Sequence, residues 1–484
     1  MLKSKMSIYI LISSVFVAFS IVFAQDNYQE WLKKEKASYK NFLDKEDQAF
    51  ADFLKKDWKA FQAFQGIKFD ETPKPVTLPE AKPEDKPAPP PPDKVILIPE
   101  IKIPEQPPAP KPKPKPVVNK TTNLMTIDFF GAPVSVNYKK DFEFALNSPI
   151  NNEVISKAWE TIAASNYKVL LEQLQENQGQ LAVNDWGYLA LVDLFAKKLF
   201  PGSKNEQNLF SWFIISKSGY DTKVAYMNNT VYFLVPSENI IYANRYVSLD
   251  NKKYYFISMD SPVVLDGQIY TYTGQYKGAD RLISMKLTKV PVLKNKIETK
   301  NLTFNYDSKS YTIPVQYDND IIDYLKNYPQ TELPVYFDAV VSQYANQSLL
   351  RSIKPKIQGM SEVQAVNFLL RFVQTAFNYK TDEQQFGKEK YLMMEETLHY
   401  PSSDCEDRSI MFSYLVKTLL KLDVVGLDYP GHIATAVKFN SDLNGDRVNF
   451  NGKVYIICDP TYINADAGME MPQFKNVEPK VIQF

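Results

Sequence analysis

Two histidines and two cysteines are all that this chain offers for thiol, imidazole or soft-metal chemistry, and His399, Cys405, His432 and Cys458 all lie in the last part of its 484 residues. A thiol whose proton is taken by an imidazole, itself oriented by a carboxylate, is a nucleophile for amide carbonyls. Cys405, His432 and Asp459 supply those three groups. A zinc site built from all four rare residues would need ligands in close pairs, which these spacings do not provide. The second Cys has a different expected use: strand alternation sends Cys458 to the face opposite Asp459, into the core rather than into a disulfide with Cys405. No metal and no cofactor are expected.

The elements around these residues have readable signals. Ser402-Ser403-Asp404 is an N-cap cluster, and Ile410, Met411, Tyr414, Leu415, Thr418, Leu419 and Leu422 follow at helical spacing. Cys405 therefore falls in the first turn of a helix, where unpaired N–H groups and the positive dipole end favour a thiolate. His432 to Phe439 reads as a strand entered from the Pro430-Gly431 turn. A hairpin of Arg447 to Phe450 and Lys453 to Cys458, joined by Asn451-Gly452, delivers Asp459 at its end. Adjacent strands carrying His432 and Asp459 would let the carboxylate orient the imidazole. For an oxyanion the backbone N–H of Cys405 is one donor, and the side-chain amides of Gln384 and Gln385 are candidates for the second. His399 reads as an exposed loop residue. Asp442 to Asp446 reads as a solvated turn, because its Gly is misplaced for a calcium loop and no bidentate Glu follows.

The run Asp404-Cys405-Glu406-Asp407-Arg408-Ser409, then Gly431-His432-Ile433-Ala434, then Cys458-Asp459-Pro460-Thr461-Tyr462 resembles the transglutaminase-like superfamily, including bacterial transglutaminase-like cysteine peptidases. The resemblance covers about Ile321 to Phe484. It implies a papain/transglutaminase-like α+β domain in which a helix carrying the Cys packs on an antiparallel sheet. It also implies Cys405 as nucleophile, His432 as general base and acid, and Asp459 as orienting carboxylate. Two features of many family members are missing: a Gly shortly before the Cys, and a Gly-Ile-Pro-type run after the helix.

The rest of the chain reads as delivery and support. Residues 1–24 have the charged start, apolar run and small-residue end of a signal peptide, which implies export to the periplasm or outside; an uncleaved N-terminal anchor is the alternative. In residues 25–68, Tyr28, Tyr39, Phe50 and Phe61 recur every eleven residues, as do Trp31-Leu32, Phe42-Leu43, Phe53-Leu54 and Phe64. Eleven residues fill three helical turns, so an aromatic stripe is expected along one helix from about Asn27 to Gln65, seeking a coiled-coil copy or an envelope partner. Residues 69–118 are rich in Pro and Lys and read as an extended spacer with an apolar island from Val95 to Ile103. Residues 119–320 read as an α+β accessory region without His or Cys. Within it Leu209 to Phe213 echoes Met411 to Leu415, which would place Ser203 where Cys405 stands in a degenerate copy of the last domain, residues 321–484.

Charge is balanced, 56 basic against 56 acidic side chains, so nucleic acid is not an expected partner. The expected activity is that of an exported thiol enzyme acting on amide bonds of a protein or peptide, as peptidase, amidase or transamidase. The alternative is a non-enzymatic envelope scaffold with a degenerate transglutaminase-like domain.

Overall fold

The computed structural model describes residues 45–68, 75, 77–89, 95–100, 123–139, 142, 144–260 and 262–484. The leader, the first half of the striped segment and residues 101–118 of the Pro-rich stretch lie outside the described residues. Among those described, no helix is long and apolar enough to cross a membrane.

The striped segment is a helix only over residues 45–54 (α1), after which the chain turns into a strand, β1 (Trp58–Phe61). Tertiary packing explains the departure from one long helix. Trp58 sets its ring against Tyr226 and Tyr272, and β1 adds to the edge strand Ile269–Tyr272 in antiparallel register. Phe50 is buried among Trp159, Trp212, Tyr272 and Tyr276, with ring centroids 4.7 to 6.2 Å apart. Phe53 lies over Gly274, where a Cβ would come within 2.3 Å of its ring. This half of the stripe is therefore covered by its own chain, and Phe50 and Leu54 are not available to a coiled-coil partner.

The middle region opens on a hairpin, β2 (Asn123–Phe129) and β3 (Ala132–Tyr138). The helical stretch expected over Asn151 to Lys198 is three helices, α2 (Asn152–Ala164), α3 (Tyr167–Gln180) and α4 (Asp185–Leu199). Asn151 and Asn184 cap the first and last, each accepting a backbone N–H two residues into its helix. After α5 (Lys204–Lys217) come β4 (Lys223–Met227), β5 (Thr230–Pro236), β6 (Tyr246–Leu249), β7 (Lys252–Ile257) and β8 (Ile269–Tyr272). With β1 they form an antiparallel sheet in the order β1-β8-β4-β5-β7-β6. Leu282 to Leu287, patterned like a strand, makes only an isolated bridge through Ile283.

A long hairpin, β9 (Ile297–Tyr306) and β10 (Lys309–Asp318), sits on the last third of the chain rather than on the region before it. Phe304 packs against Phe368 and Phe372 at 5.1 and 5.3 Å, and Ser352 Oγ donates to Pro314 O. One hydrophobic core runs across the boundary expected at 320/321. The helices that follow are α6 (Asn319–Lys326), α7 (Leu333–Phe337), α8 (Gln343–Ile357) and α9 (Glu362–Thr375). Next come β11 (Asn378–Tyr379), α10 (Asp382–Phe386), α11 (Met394–His399), β12 (Ser402–Ser403) and α12 (Cys405–Leu415). Strands β13 (Asp423–Tyr429), β14 (His432–Lys438), β15 (Arg447–Phe450), β16 (Lys453–Cys458) and β17 (Lys480–Ile482) form an antiparallel sheet ordered β15-β16-β14-β13-β17.

The two sheets share one wiring. Helix α5 leads into β4 and β5 as α12 leads into β13 and β14, and both hairpins close on two residues. The orders β8-β4-β5-β7-β6 and β17-β13-β14-β16-β15 correspond strand for strand. In both, two-residue turns with positive φ, Asp250-Asn251 and Asn451-Gly452, join the outer hairpin. The register matches as well: Phe233, the fourth residue of β5, faces the last residue of β7, and Thr435, the fourth of β14, faces the last of β16. A helix side chain tethers the second residue of each strand, through Asn208 to Val231 O and Ser409 to Ile433 O. Ser203, Thr230 and Ser258 hold the places of Cys405, His432 and Asp459 to within a residue, so the middle unit carries no thiol, imidazole or carboxylate there.

Glu395 ties the hairpin to the helices, accepting from Asp318 N, Ser342 N and Ser342 Oγ at 2.7 to 3.0 Å. Burial, the largest effect, raises its pKa despite these donors, and Asp318 beside it is raised too. A carboxyl raised on folding contributes stability below its unfolded pKa, and that contribution is lost as pH rises through the folded value. Glu395→Gln should therefore flatten the fall in Tm between pH 5 and pH 8 measured by scanning calorimetry. An unchanged slope would show that Glu395 is ionised throughout.

Candidate functional site

Cys405 opens α12. Asp404 caps it: Asp404 N donates to Asp407 Oδ2, while Asp382 N donates to Asp404 Oδ2 and Leu392 N to Asp407 Oδ1. The acidic pair thus pulls two neighbouring loops onto the helix start. Arg408, 1% exposed, completes the frame by donating to Ser403 Oγ, Gln374 O and Phe377 O at 3.0 to 3.2 Å. Its pKa is lowered to about 10 by burial, with Tyr379, Asp404 and Asp407 opposing.

The imidazole half of the site is assembled. In the β14–β16 register Thr435 faces Cys458, so Asp459 extends to Ala434, two residues and one full strand period from His432. His432 Nε2 and Asp459 Oδ2 lie 2.8 Å apart. Asp459 Oδ1 accepts from Thr461 N and Tyr462 N, and Gln374 Nε2 donates to its carbonyl, so the carboxylate has one orientation. Phe474 lies flat on the imidazole, centroids 5.1 Å apart and planes within 5°, with Tyr429 behind it.

The thiol half is set differently. Cys405 Sγ donates to Glu406 Oε2 at 3.0 Å, and His432 Nδ1 has no hydrogen-bond partner among the described residues. The two halves nevertheless share a corner, since one turn beyond Cys405 the Ser409 hydroxyl bonds the carbonyl next to His432. Cys405, His432 and Asp459 are 0, 2 and 2% exposed. Four surface cavities of about 300 to 490 Å³ are lined by other residues. These three side chains are therefore covered, with the imidazole bonded to Asp459 and the thiol to Glu406.

An acidic wall beside the thiol went unread in the sequence. Carboxylate oxygens of Asp382, Glu389 and Glu406, and of Asp382, Asp404 and Asp407, come within 4.8 Å of one another. The adjacency Asp404, Glu406, Asp407 was visible, but only folding brings in Asp382 and Glu389. Negative charge beside a thiol opposes its ionisation, against the pull of the helix N-terminus. Glu406→Gln replaces the acceptor by an amide that can donate to sulfur. It should speed iodoacetamide alkylation of Cys405 at pH 7 by about three- to tenfold, one pKa unit being a factor of ten. Peptide mapping by mass spectrometry reads the rate, and a slower reaction would mean that Glu406 assists the thiolate.

The other expected site residues take other roles. Gln384 is exposed, and its side-chain oxygen accepts from Thr381 N while Thr381 Oγ1 accepts from Gln384 N. This is a capping box, legible as Thr-x-x-Gln, and it folds the Gln384 side chain back onto Thr381. Gln385 Nε2 donates to Ser402 O in the loop before Cys405, so this donor is engaged too. His399 is half-buried at the end of α11 between the rings of Tyr317 and Tyr400, and burial lowers its pKa. It is a helix-end packing residue, not a loop histidine. Cys458 is fully buried and unpaired, with its thiol pKa pushed up by burial, so it is a core residue. Asp446 accepts from Glu470 N, which folds the 442–446 turn against the loop after Asp459.

What these features define is an α+β protein with two like-wired antiparallel units and one buried Cys, His and Asp constellation. No family model, no curated protein and no solved structure matches the chain.

Proposed function

We propose that the protein is an exported thiol enzyme of transglutaminase-like fold that acts on amide bonds of a peptide or protein. The observation that carries the reading is the buried His432–Asp459 pair, which leaves imidazole Nδ1 without a hydrogen-bond partner among the described residues, near the start of the Cys405 helix. In the working arrangement His432 takes the Cys405 proton and the thiolate attacks the carbonyl carbon. The resulting oxyanion is met by the backbone N–H of Cys405 in the first turn of the helix. Collapse to a thioester expels the amine, protonated by His432, and water or a second amine then releases the acyl group. The middle unit serves as a silent copy that supports the aromatic helix and the sheet.

The test is incubation of the full chain with a glutamine-containing peptide and hydroxylamine. Release of ammonia with a hydroxamate product supports transamidation, and free acid supports hydrolysis. Absence of both, with Cys405 alkylated at pH 6.5 no faster in the parent than in His432→Ala, removes the enzyme reading. The covered sulfur and its bond to Glu406 favour a second reading, a non-enzymatic envelope scaffold in which this domain only packs.

A further inference from the structure

The Pro-rich stretch, expected as a free spacer, is docked on the candidate enzyme unit. Ala81 N donates to Ile463 O at 2.8 Å and Ile463 N to Pro79 O at 3.0 Å, a parallel bridge four residues beyond Asp459. The Ala81 side chain is buried with Tyr462, Ala465, Met469 and Met471, and Phe474 packs on the same cluster. Phe474 is the ring that lies on His432. Lys86 pairs with Asp466 at 2.7 Å. Farther along, Glu362 N donates to Ile96 O, Ile98 N to Met360 O, and Ile98 is buried at the start of α9.

These contacts form one path from strap to base. The loop from Thr461 to Phe474 is covered by Ala81 on one side and covers His432 on the other. We propose that residues 78–89 and 95–98 are an intramolecular strap that holds this loop down and keeps the site closed, so that lifting it uncovers Cys405 and His432. The proposal rests on the triad reading, and it gives that site a latent state. Three observations fit a part made to lift. Lys82 to Lys86 are exposed. The anchors are two short bridges and one half-exposed ion pair. A cavity of about 300 Å³ remains beneath Pro87, Ala88, Pro89 and Val95, so the strap spans rather than fills. The exposed Glu84-Asp85 bond also suits proteolytic cutting, and a cut between the two anchors would free the Ala81 end.

Ala81→Arg and Lys86→Glu in the full chain test this. Iodoacetamide labelling of Cys405 at pH 9.5 reads access alone, because an ordinary thiol is ionised there, and labelling at pH 6.5 reads access and activation together. Cutting after the exposed Glu84 by a glutamate-specific endoprotease reads strap release, and Cys458, unmodified throughout, shows that the sheet is intact. Both variants should be cut faster and should label Cys405 at least tenfold faster at both pH values. Faster cutting with unchanged labelling at pH 9.5 overturns the strap as cover. Unchanged cutting overturns these anchors as its hold. Faster labelling at pH 9.5 with no effect of His432→Ala at pH 6.5 leaves the strap standing and removes the triad.

Discussion

His432→Ala is expected to slow alkylation of Cys405 about 10²-fold at pH 6 and to leave it unchanged above pH 9.5. An ordinary thiol with pKa near 8.5 is only about 0.3% thiolate at pH 6, whereas one paired with an imidazolium is largely ionised. Closure slows the parent and the variant by the same opening factor, so the ratio survives even though the site is covered. Asp459→Asn should be nearly as harmful to turnover, lowering kcat by about 10² to 10⁴. The Asn amide would donate to Nε2, forcing the ring proton onto Nδ1, the nitrogen that has to accept the thiol proton. Thr461 N and Tyr462 N would still hold the other oxygen, so the loop keeps its shape and the loss is chemical. Equal alkylation rates for parent and His432→Ala at pH 6 would leave Cys405 a core thiol.

How much of this was legible follows from what each signal depends on. Asn451-Gly452 and Pro430-Gly431 mark their turns, so β14 to β16 could be placed to within a residue, while β13 went unread. Period-2 alternation then put His432 and Asp459 on one face and Cys458 on the other. The bond from Cys405 to Glu406 was not legible, because adjacent residues on a helix ordinarily point apart and only the surrounding carboxylates and loops decide the rotamer. The capping box of Gln384 was legible as Thr-x-x-Gln, although only its oxygen takes part.

The fold shows the same division. Over residues 45–54 the eleven-residue stripe marked the buried face of Phe50 and Leu54, yet Trp58 to Phe61 follow the free edge of β8 and not the helical period. Pairing with an edge strand outweighs a propensity difference of a few tenths of a kcal/mol per residue. Pro-rich composition disfavours α-helix and interior strand, but it forbids neither the single 3₁₀ turn at Pro83–Asp85 nor single bridges such as Pro79 and Ala81 on Ile463, which need one N–H from a non-proline. The likeness of the two units was faint in the letters because Leu209 to Phe213 and Met411 to Leu415 share only Phe-Ser and apolar type. Sheet order and register carry it far more clearly.

Arg408→Met should cost about 3 to 5 kcal/mol in urea unfolding and should also loosen Cys405. Methionine matches much of the volume, so a cavity is not the reason. The loss lies in the acceptors: Gln374 O at the end of α9, Phe377 O just before β11, and Ser403 Oγ in β12 all receive their donor from one guanidinium. All three lie in the frame around the thiol, and Asp404 and Asp407 would keep their buried charge with this cation gone. Breaking a buried ionic arrangement from one side is the costly case, because desolvated partners remain without compensation. Arg408→Lys tests geometry against charge. It retains the cation but can serve only part of the fork, so about half the loss should return if the hydrogen bonds dominate. Full recovery would assign Arg408 to charge balance alone. Either outcome bears on catalysis, since Gln374 also holds Asp459 through its side chain, and one displaced helix end would misplace nucleophile and carboxylate together.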